Sequence, residues 1–209
     1  MYTICWSPKG GSGTTVVSAA LALATDTALL VDLAGDLPAA IGVSVGTEGV
    51  YDWLRSGTTP SRLDDLTTEI HEGHHLIAAG THGAVPARRW SVLADHLSAL
   101  DGIDVVIDAG TTPRPPKALF ERADRRLLVL RPCYLGLRRA SEAAVAADGV
   151  VLIVEPGRAL SATDIERCLQ VPVLAEVTTD PSVARAVDAG LLSSRAPRSL
   201  APITRLARP

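Results

Sequence analysis

The stretch that most constrains this chain is a glycine-rich turn near its start, placed between a short apolar segment and an apolar helical pattern. The apolar segment covers residues 2–6, the turn reads KGGSG at positions 9–13, and the helical pattern covers residues 16–24. A strand, a glycine-rich turn and a helix in this order are typical of loops that bind phosphate groups. Glycines let successive backbone amides turn toward an anion, and the following helix adds its positive end. The sequence therefore predicts an anion-binding loop.

One residue of this loop departs from the usual pattern, which places a lysine directly after the last glycine. Thr14 follows Gly13 here, so the ammonium group that neutralises phosphate charge is missing from that place. Thr15 supplies a hydroxyl of the kind that binds Mg²⁺ beside a nucleotide phosphate. Lys9 stands at the start of the loop, and Lys117 is the only other lysine of the chain. This scarcity makes Lys9 a candidate functional residue.

Composition favours one soluble α/β domain. The chain has 209 residues and a net charge of −3, which argues against a protein that coats DNA generally. No apolar run approaches the roughly 18–20 residues of a membrane span, and no signal peptide precedes the first apolar segment. Cys5, Cys133 and Cys168 are widely spaced and odd in number, which predicts a reduced, cytoplasmic protein.

Apolar runs alternate with helical patterns along the chain. Strands are predicted at residues 2–6, 28–33, 75–79, 104–108, 126–131, 150–155 and 173–177. Helices are predicted at residues 16–24, 50–56, 87–100, 117–122, 136–147, 162–169 and 181–189. This alternation predicts a single doubly wound, mostly parallel sheet with helices on both faces. Ligands of such sheets bind beyond the carboxyl ends of the strands.

The predicted domain covers residues 1–192, and a basic, proline-containing tail covers residues 193–209. Leu200, Ile203 and Leu206 could form one apolar edge of this tail. We favour a partly ordered tail, as is common at chain ends. The alternative is a short basic anchor that contacts anionic lipid, DNA or a protein partner.

The loop resembles the deviant Walker A sequence KGGxGKT of the ParA/MinD family of dimeric nucleotide switches. The matching residues are Lys9, Gly10, Gly11, Ser12, Gly13, Thr14 and Thr15. The resemblance implies that these residues bind ATP or ADP, that Lys9 reaches the phosphates of a partner subunit, and that Thr15 binds Mg²⁺. Thr14 stands where the family has its ordinary Walker lysine.

Two further segments resemble the nucleotide-sensing switches of that family. Asp32, at the end of the second predicted strand, matches the first Asp of an Asp-x-Asp switch. The resemblance implies that Asp32 lies near the coordination shell of Mg²⁺. The second Asp, which positions the attacking water in the family, falls on Ala34, and Asp36 lies two residues further. Asp108 matches the second switch and would hold Mg²⁺ through water. The plain alternative for Asp32 and Asp108 is a strand-end cap that only binds loop amides.

The resemblance extends in order over nearly the whole chain, because residues 49–54 and 180–186 also resemble MinD-like proteins. The adenine contact is a departure. The family often has an asparagine after the sixth strand, whereas this chain contains no asparagine and has EPGR at positions 155–158. The base of a nucleotide therefore cannot be inferred.

The leading hypothesis is a cytoplasmic spatial organiser or partner-binding switch with a degenerate nucleotide site and little or no ATP hydrolysis. Such a protein is either free in the cytoplasm or peripheral to the inner membrane. This hypothesis implies a homodimer, a protein partner, and ATP or ADP with Mg²⁺ as a structural ligand, or no nucleotide at all. The alternative is an active ATPase of partitioning, septum placement or pilus localisation, in which Lys9 and Asp36 take over the missing catalytic roles. A third is an ATP-dependent small-molecule ligase of the wider fold, which would need a defined substrate pocket.

Two patterns favour plain structural explanations. HEGHH at positions 71–75 satisfies the zincin pattern H-E-x-x-H, but a glycine inside it and a strand at its end favour a turn. Cys133 follows a strand end near the predicted site, and we expect a packed thiol there rather than a nucleophile.

Overall fold

A computed structural model describes residues 1–144, 146–194 and 197–207 of the chain. Eight strands form one sheet: β1 (Tyr2–Ser7), β2 (Ala28–Asp32), β3 (Thr67–His71), β4 (His74–Ile77), β5 (Asp104–Thr111), β6 (Arg125–Leu130), β7 (Gly149–Val154) and β8 (Val173–Thr178). Their order across the sheet is β3-β4-β2-β5-β1-β6-β7-β8. Every pairing is parallel except that of β3 with β4. The predicted mostly parallel sheet is therefore confirmed.

Ten α-helices are found among the described residues: α1 (Thr14–Ala22), α2 (Leu37–Ile41), α3 (Val50–Ser56), α4 (Ser61–Asp64), α5 (Ala87–Ser98), α6 (Lys117–Arg122), α7 (Tyr134–Ala143), α8 (Ala162–Leu169), α9 (Pro181–Asp188) and α10 (Ala201–Leu206). One core layer packs α1, α2, α9 and α10 against the sheet. The other packs α3, α5, α6, α7 and α8 against the opposite face. Each central strand of the sheet is thus buried on both faces, which explains the continuous apolar runs of the sequence. None of the helices in the described part combines the length and hydropathy that crossing a bilayer requires.

The sheet edge beyond β4 differs from the sequence prediction. β3 was not predicted; it pairs antiparallel with β4, and its residues alternate between exposed and half-buried positions. The H-E-x-x-H segment is the turn of this hairpin, where Gly73 has a φ of +78°. Since His71 and His74 lie opposite each other on two strands, the segment does not form the helix that a zincin site needs.

The end of the chain packs on the domain. A 3₁₀ turn (Arg198–Leu200) leads into α10, which contacts α1 and β8. Leu200 and Ile203 are 2% and 0% exposed. The apolar edge of the sequence-predicted tail therefore faces the protein core and is not available to a lipid surface. Arg198 and Arg205 remain exposed, while Arg195 and Arg208 lie outside the described residues.

Candidate nucleotide site

The glycine-rich loop connects β1 to α1 at the carboxyl end of the sheet. Gly11 and Gly13 have φ values of +74° and +88°, in the left-handed region that favours glycine. The Lys9 carbonyl accepts hydrogen bonds from the hydroxyls of Ser12 at 2.7 Å and Ser7 at 3.0 Å, which closes the turn. The loop thus has the strand–turn–helix context that the sequence predicted for an anion site.

The loop brings little positive charge to the cavity beside it. The Lys9 ammonium donates to the Gly10 carbonyl at 3.3 Å, and the Lys9 side chain lies 3.9 Å from the position a Cβ would take at Gly136 in α7. The Lys9 side chain therefore lies beside α7. Thr14 is 7% exposed and lines the cavity with an uncharged side chain. Among the described residues that line the cavity, Arg114 alone carries a permanent positive charge.

Asp32 and Asp108 are neighbours in the β2–β5 register, and both are 0% exposed. Asp32 uses both carboxylate oxygens for its own loop: Oδ1 accepts from the amides of Ala34 and Gly35 at 2.8 and 2.7 Å, and Oδ2 accepts from the Leu37 amide at 3.2 Å. Burial raises the pKa of Asp32, and these amide bonds lower it in part. The contacts are those of a loop cap, so Asp32 shapes the turn after β2.

Asp108 differs because only one of its oxygens is paired. Its Oδ1 accepts from the Gly110 amide at 2.9 Å, whereas the buried Oδ2 has no hydrogen-bond partner in the part of the chain that the structure describes. Burial raises the pKa of Asp108 to about 7, the charge of Asp32 adds to the rise, and the nearby Thr15 hydroxyl opposes it. An orphaned carboxylate oxygen beside a threonine hydroxyl is an oxygen donor set that fits Mg²⁺.

At the second position of the Asp-x-Asp pattern, where the resemblance expects a carboxylate, the chain has the methyl group of Ala34. Ala34 lines the cavity and lies against Gly110, where an added Cβ would come within 2.7 Å of the Ala34 Cβ. Asp36 is exposed at the start of α2 and lines the same cavity, and its carboxylate does not cap the helix. The structure thus brings Thr15, Asp36 and the loop together, with Asp32 and Asp108 buried at the adjacent strand ends.

Two cavities flank Gly13. The first, of about 760 Å³, extends from the loop toward the segments after β2, β4 and β5. The second, of about 700 Å³, is mainly apolar and lies between α1, α9 and the ends of β7 and β8. At its rim Glu155 accepts from Arg131 at 2.6 Å and from the Arg158 Nε at 2.5 Å.

Sequence reasoning missed three residues of the first cavity: Tyr51, His82 and Trp90. Tyr51 lies in a segment that the resemblance had marked, but His82 and Trp90 are distant in sequence and carry no motif. Cys133 is half-buried at the start of α7, beside Gly136, where a Cβ would lie 3.3 Å from its sulfur.

This is the fold of a P-loop nucleotide-binding protein, with a parallel sheet and a glycine-rich loop at its carboxyl edge. A scan of the sequence against protein-family models and a search of the curated proteins both find no match. Solved structures do match. A ParA family ATPase of Chlorobium tepidum is 18% identical, with a TM-score of 0.77 over 99% of this chain and 98% of that one.

Two MinD structures are similar to the same extent. The septum site-determining protein MinD of Pyrococcus horikoshii, complexed with Mg-ADP, is 22% identical, with a TM-score of 0.72 over 99% of this chain and 94% of that one. MinD in the MinC:MinD complex of Aquifex aeolicus is 20% identical, with a TM-score of 0.76 over 99% and 95%. The chain therefore has the fold of the ParA and MinD ATPases over about 99% of its length.

Proposed function

We propose that this protein is a ParA/MinD-like spatial organiser or partner-binding switch that binds nucleotide with little or no hydrolysis. The observation that carries the proposal is the lining of the first cavity, which includes Thr14 and Ala34, the residues that the sequence resemblance matches to the loop lysine and the water-positioning carboxylate. Phosphoryl transfer depends on neutralising charge at the transferred group and on placing the attacking water. Both contributions are absent from their usual positions.

The expected loss of rate is large. Removing a single electrostatic group of this kind typically costs about 10²–10³ in rate. Arg114, the one permanent cation among the described residues of the cavity wall, donates through Nε to the Ala143 carbonyl at 3.2 Å and so is held toward α7. The loop amides that support binding are retained, so binding and turnover are expected to separate.

Mg²⁺ is part of the proposal. Thr15 and the unpaired Oδ2 of Asp108 would hold the ion, directly or through water, and Asp32 would shape the loop around it. When bound, the ion supplies positive charge that offsets the missing lysine. The Mg-ADP complex of the Pyrococcus horikoshii relative supports this assignment. Base identity is left open.

Dimerisation and partner binding are also part of the proposal. Tyr134 and Leu135, at the start of α7, are 73% and 44% exposed, and Lys9 lies along the same helix. Large exposed apolar side chains beside the nucleotide loop suit a contact with a second copy or a partner protein. The MinC:MinD complex of Aquifex aeolicus supports a partner-binding role. We also propose a cytoplasmic location, which the cysteine pattern supports, either free or peripheral to the inner membrane.

The second candidate is an active ATPase of the same fold, and one observation favours it: Asp36 lines the cavity with a carboxylate that has no salt bridge to the described residues. In that case Asp36 would position the water and Lys9, from a partner, would supply the charge.

The deciding experiment is calorimetric titration of the protein with ATP and Mg²⁺, with ADP as the control, followed by steady-state hydrolysis. Saturable binding with negligible turnover supports the proposal. Fast hydrolysis that is lost in Lys9→Ala and Asp36→Ala would establish the ATPase instead. No heat and no thermal shift at millimolar nucleotide would show that the fold has lost its ligand, and the partner-binding role would then stand alone.

A further inference from the structure

One half of the first cavity, beside the segments that follow β2 and β4, is lined by aromatic rings. We call Tyr51, His82 and Trp90 the aromatic wall. The Tyr51 and His82 ring centroids are 4.5 Å apart, and Trp90 meets Tyr51 edge-on at 5.9 Å. The chain has only three tryptophans and three tyrosines, and one of each lines this half. The rings come from α3, α5 and the segment after β4, so only the tertiary fold assembles them.

The negative charge beside this half of the cavity is not balanced by a nearby cation of the described residues. Asp36 lines the same cavity, and the preceding Gly35 lies against the aromatic wall, since an added Cβ there would be 3.5 Å from the His82 Nε2. Asp36 forms no salt bridge with the residues that the structure describes. Arg55, on the same helix as Tyr51, is already engaged, because it pairs with Asp52 at 2.7 Å and donates to the Thr81 carbonyl at 2.6 Å. Arg114 is held toward α7, on the β6 side of β5, whereas β2 and β4 lie on the other side. The aromatic wall thus adjoins a carboxylate without a fixed counter-charge.

We propose that this half of the cavity binds an organic cation, an alkylammonium or guanidinium head group. Ring faces attract cations, and a nearby carboxylate completes the charge balance. A cavity of about 760 Å³ leaves room for such a group beside the loop. The head group comes either from a free small molecule or from a lysine or arginine side chain of a second copy. The inference goes beyond the proposed function and does not require nucleotide.

The test titrates the nucleotide-free protein at pH 8 in EDTA with choline, with agmatine, and with 3,3-dimethylbutan-1-ol, the neutral isostere of choline. Heat and tryptophan fluorescence are recorded. Trp90 is the half-buried reporter in the cavity, because Trp6 and Trp53 are 1% and 2% exposed in the core. Saturable binding of one of the two cations without binding of the isostere is expected.

Variants separate the site from general charge effects. Asp36→Asn should weaken cation binding by about tenfold or more, as the loss of a charged partner does. His82→Ala should weaken it as well, and both side chains are exposed, so these variants are expected to fold. Asp26→Asn, an exposed acid before β2, is the matched control and should retain wild-type affinity.

Sedimentation distinguishes the two sources. If a side chain of a second copy fills the site, Asp36→Asn and added agmatine will both weaken self-association. If a free small molecule fills it, choline or agmatine will bind while self-association is unchanged. Three outcomes would overturn the inference. The first is that the isostere binds as tightly as the cations, and the second is that Asp36→Asn binds the cations as tightly as the wild type. The third outcome is that no cation binds and that self-association is the same in Asp36→Asn as in the wild type.

Discussion

We expect the buried carboxyl of Asp108 to make the stability of this protein depend on pH in a direction opposite to that of ordinary acid denaturation. Its native pKa of about 7 lies above the reference value of 3.8, so the unfolded state binds fewer protons between these values. The stability contributed by protonated Asp108 is therefore complete below about pH 4 and is lost as pH rises through about 7.

The size of the change in the free energy of unfolding follows from the rise in the pKa of Asp108. About three pKa units at 1.36 kcal/mol each give an upper bound of about 4 kcal/mol, of which about 2–3 kcal/mol falls between pH 5 and pH 8. Asp108→Asn keeps an oxygen for the Gly110 amide and removes the ionisation. We expect this variant to gain stability relative to the wild type as pH rises, by about 2 kcal/mol over that interval.

The assay is urea unfolding of both proteins from pH 5 to pH 8.5 in EDTA. Millimolar Mg²⁺ should then restore stability to the wild type at pH 8 and leave Asp108→Asn unchanged, because the ion neutralises the unpaired Oδ2. Parallel pH profiles for the two proteins would refute the reasoning, since they would mean that the carboxyl is hydrated or paired in solution.

Three further predictions follow from other parts of the structure. Thr14→Lys alone should change ATP turnover by less than about tenfold, whereas Thr14→Lys with Ala34→Asp should raise it by about 10²–10³ in a steady-state assay; fast turnover in the single variant would contradict the assignment of Ala34. Ile203→Ala, at a 0% exposed position of α10, should cost about 2–5 kcal/mol in urea unfolding, and a cost near zero would show that the tail is not part of the core. Tyr134→Ala with Leu135→Ser should weaken self-association in sedimentation without lowering the melting temperature, because both side chains are exposed; unchanged association would place the dimer contact elsewhere.

Much of the site was predictable because it is local in sequence. The loop from Lys9 to Thr15 is contiguous, and the two departures, Thr14 and Ala34, are visible by position against the family pattern. Asp32 and Asp108 were predictable because carboxyl ends of parallel strands meet at one edge of a sheet. The unequal pairing of these two carboxylates was not predictable, since it depends on how each following loop turns its amides.

The strand β3 and the burial of the tail were not predictable from the sequence, because both depend on packing against distant residues. The exposed edge strand β3 has a mixed pattern that resembles a loop, and only its pairing with β4 orders it. The apolar residues of the tail gave no indication of whether they face solvent, lipid or core. Their burial follows from the packing of α10 against α1 and β8 on one face of the sheet.

The amino-acid sequence by itself determined the alternation of strands and helices, the glycine-rich turn between β1 and α1, and the presence of Thr14 and Ala34 where the ParA/MinD pattern has a lysine and an aspartate, because each of these rests on periodicity or on neighbouring residues. Only the tertiary structure decided that Asp108 has an unpaired oxygen, that Arg114 is held toward α7, and that Tyr51, His82 and Trp90 share a cavity with Asp36. Those properties arise from contacts between residues that are distant along the chain, and burial and charge at such contacts depend on the whole fold.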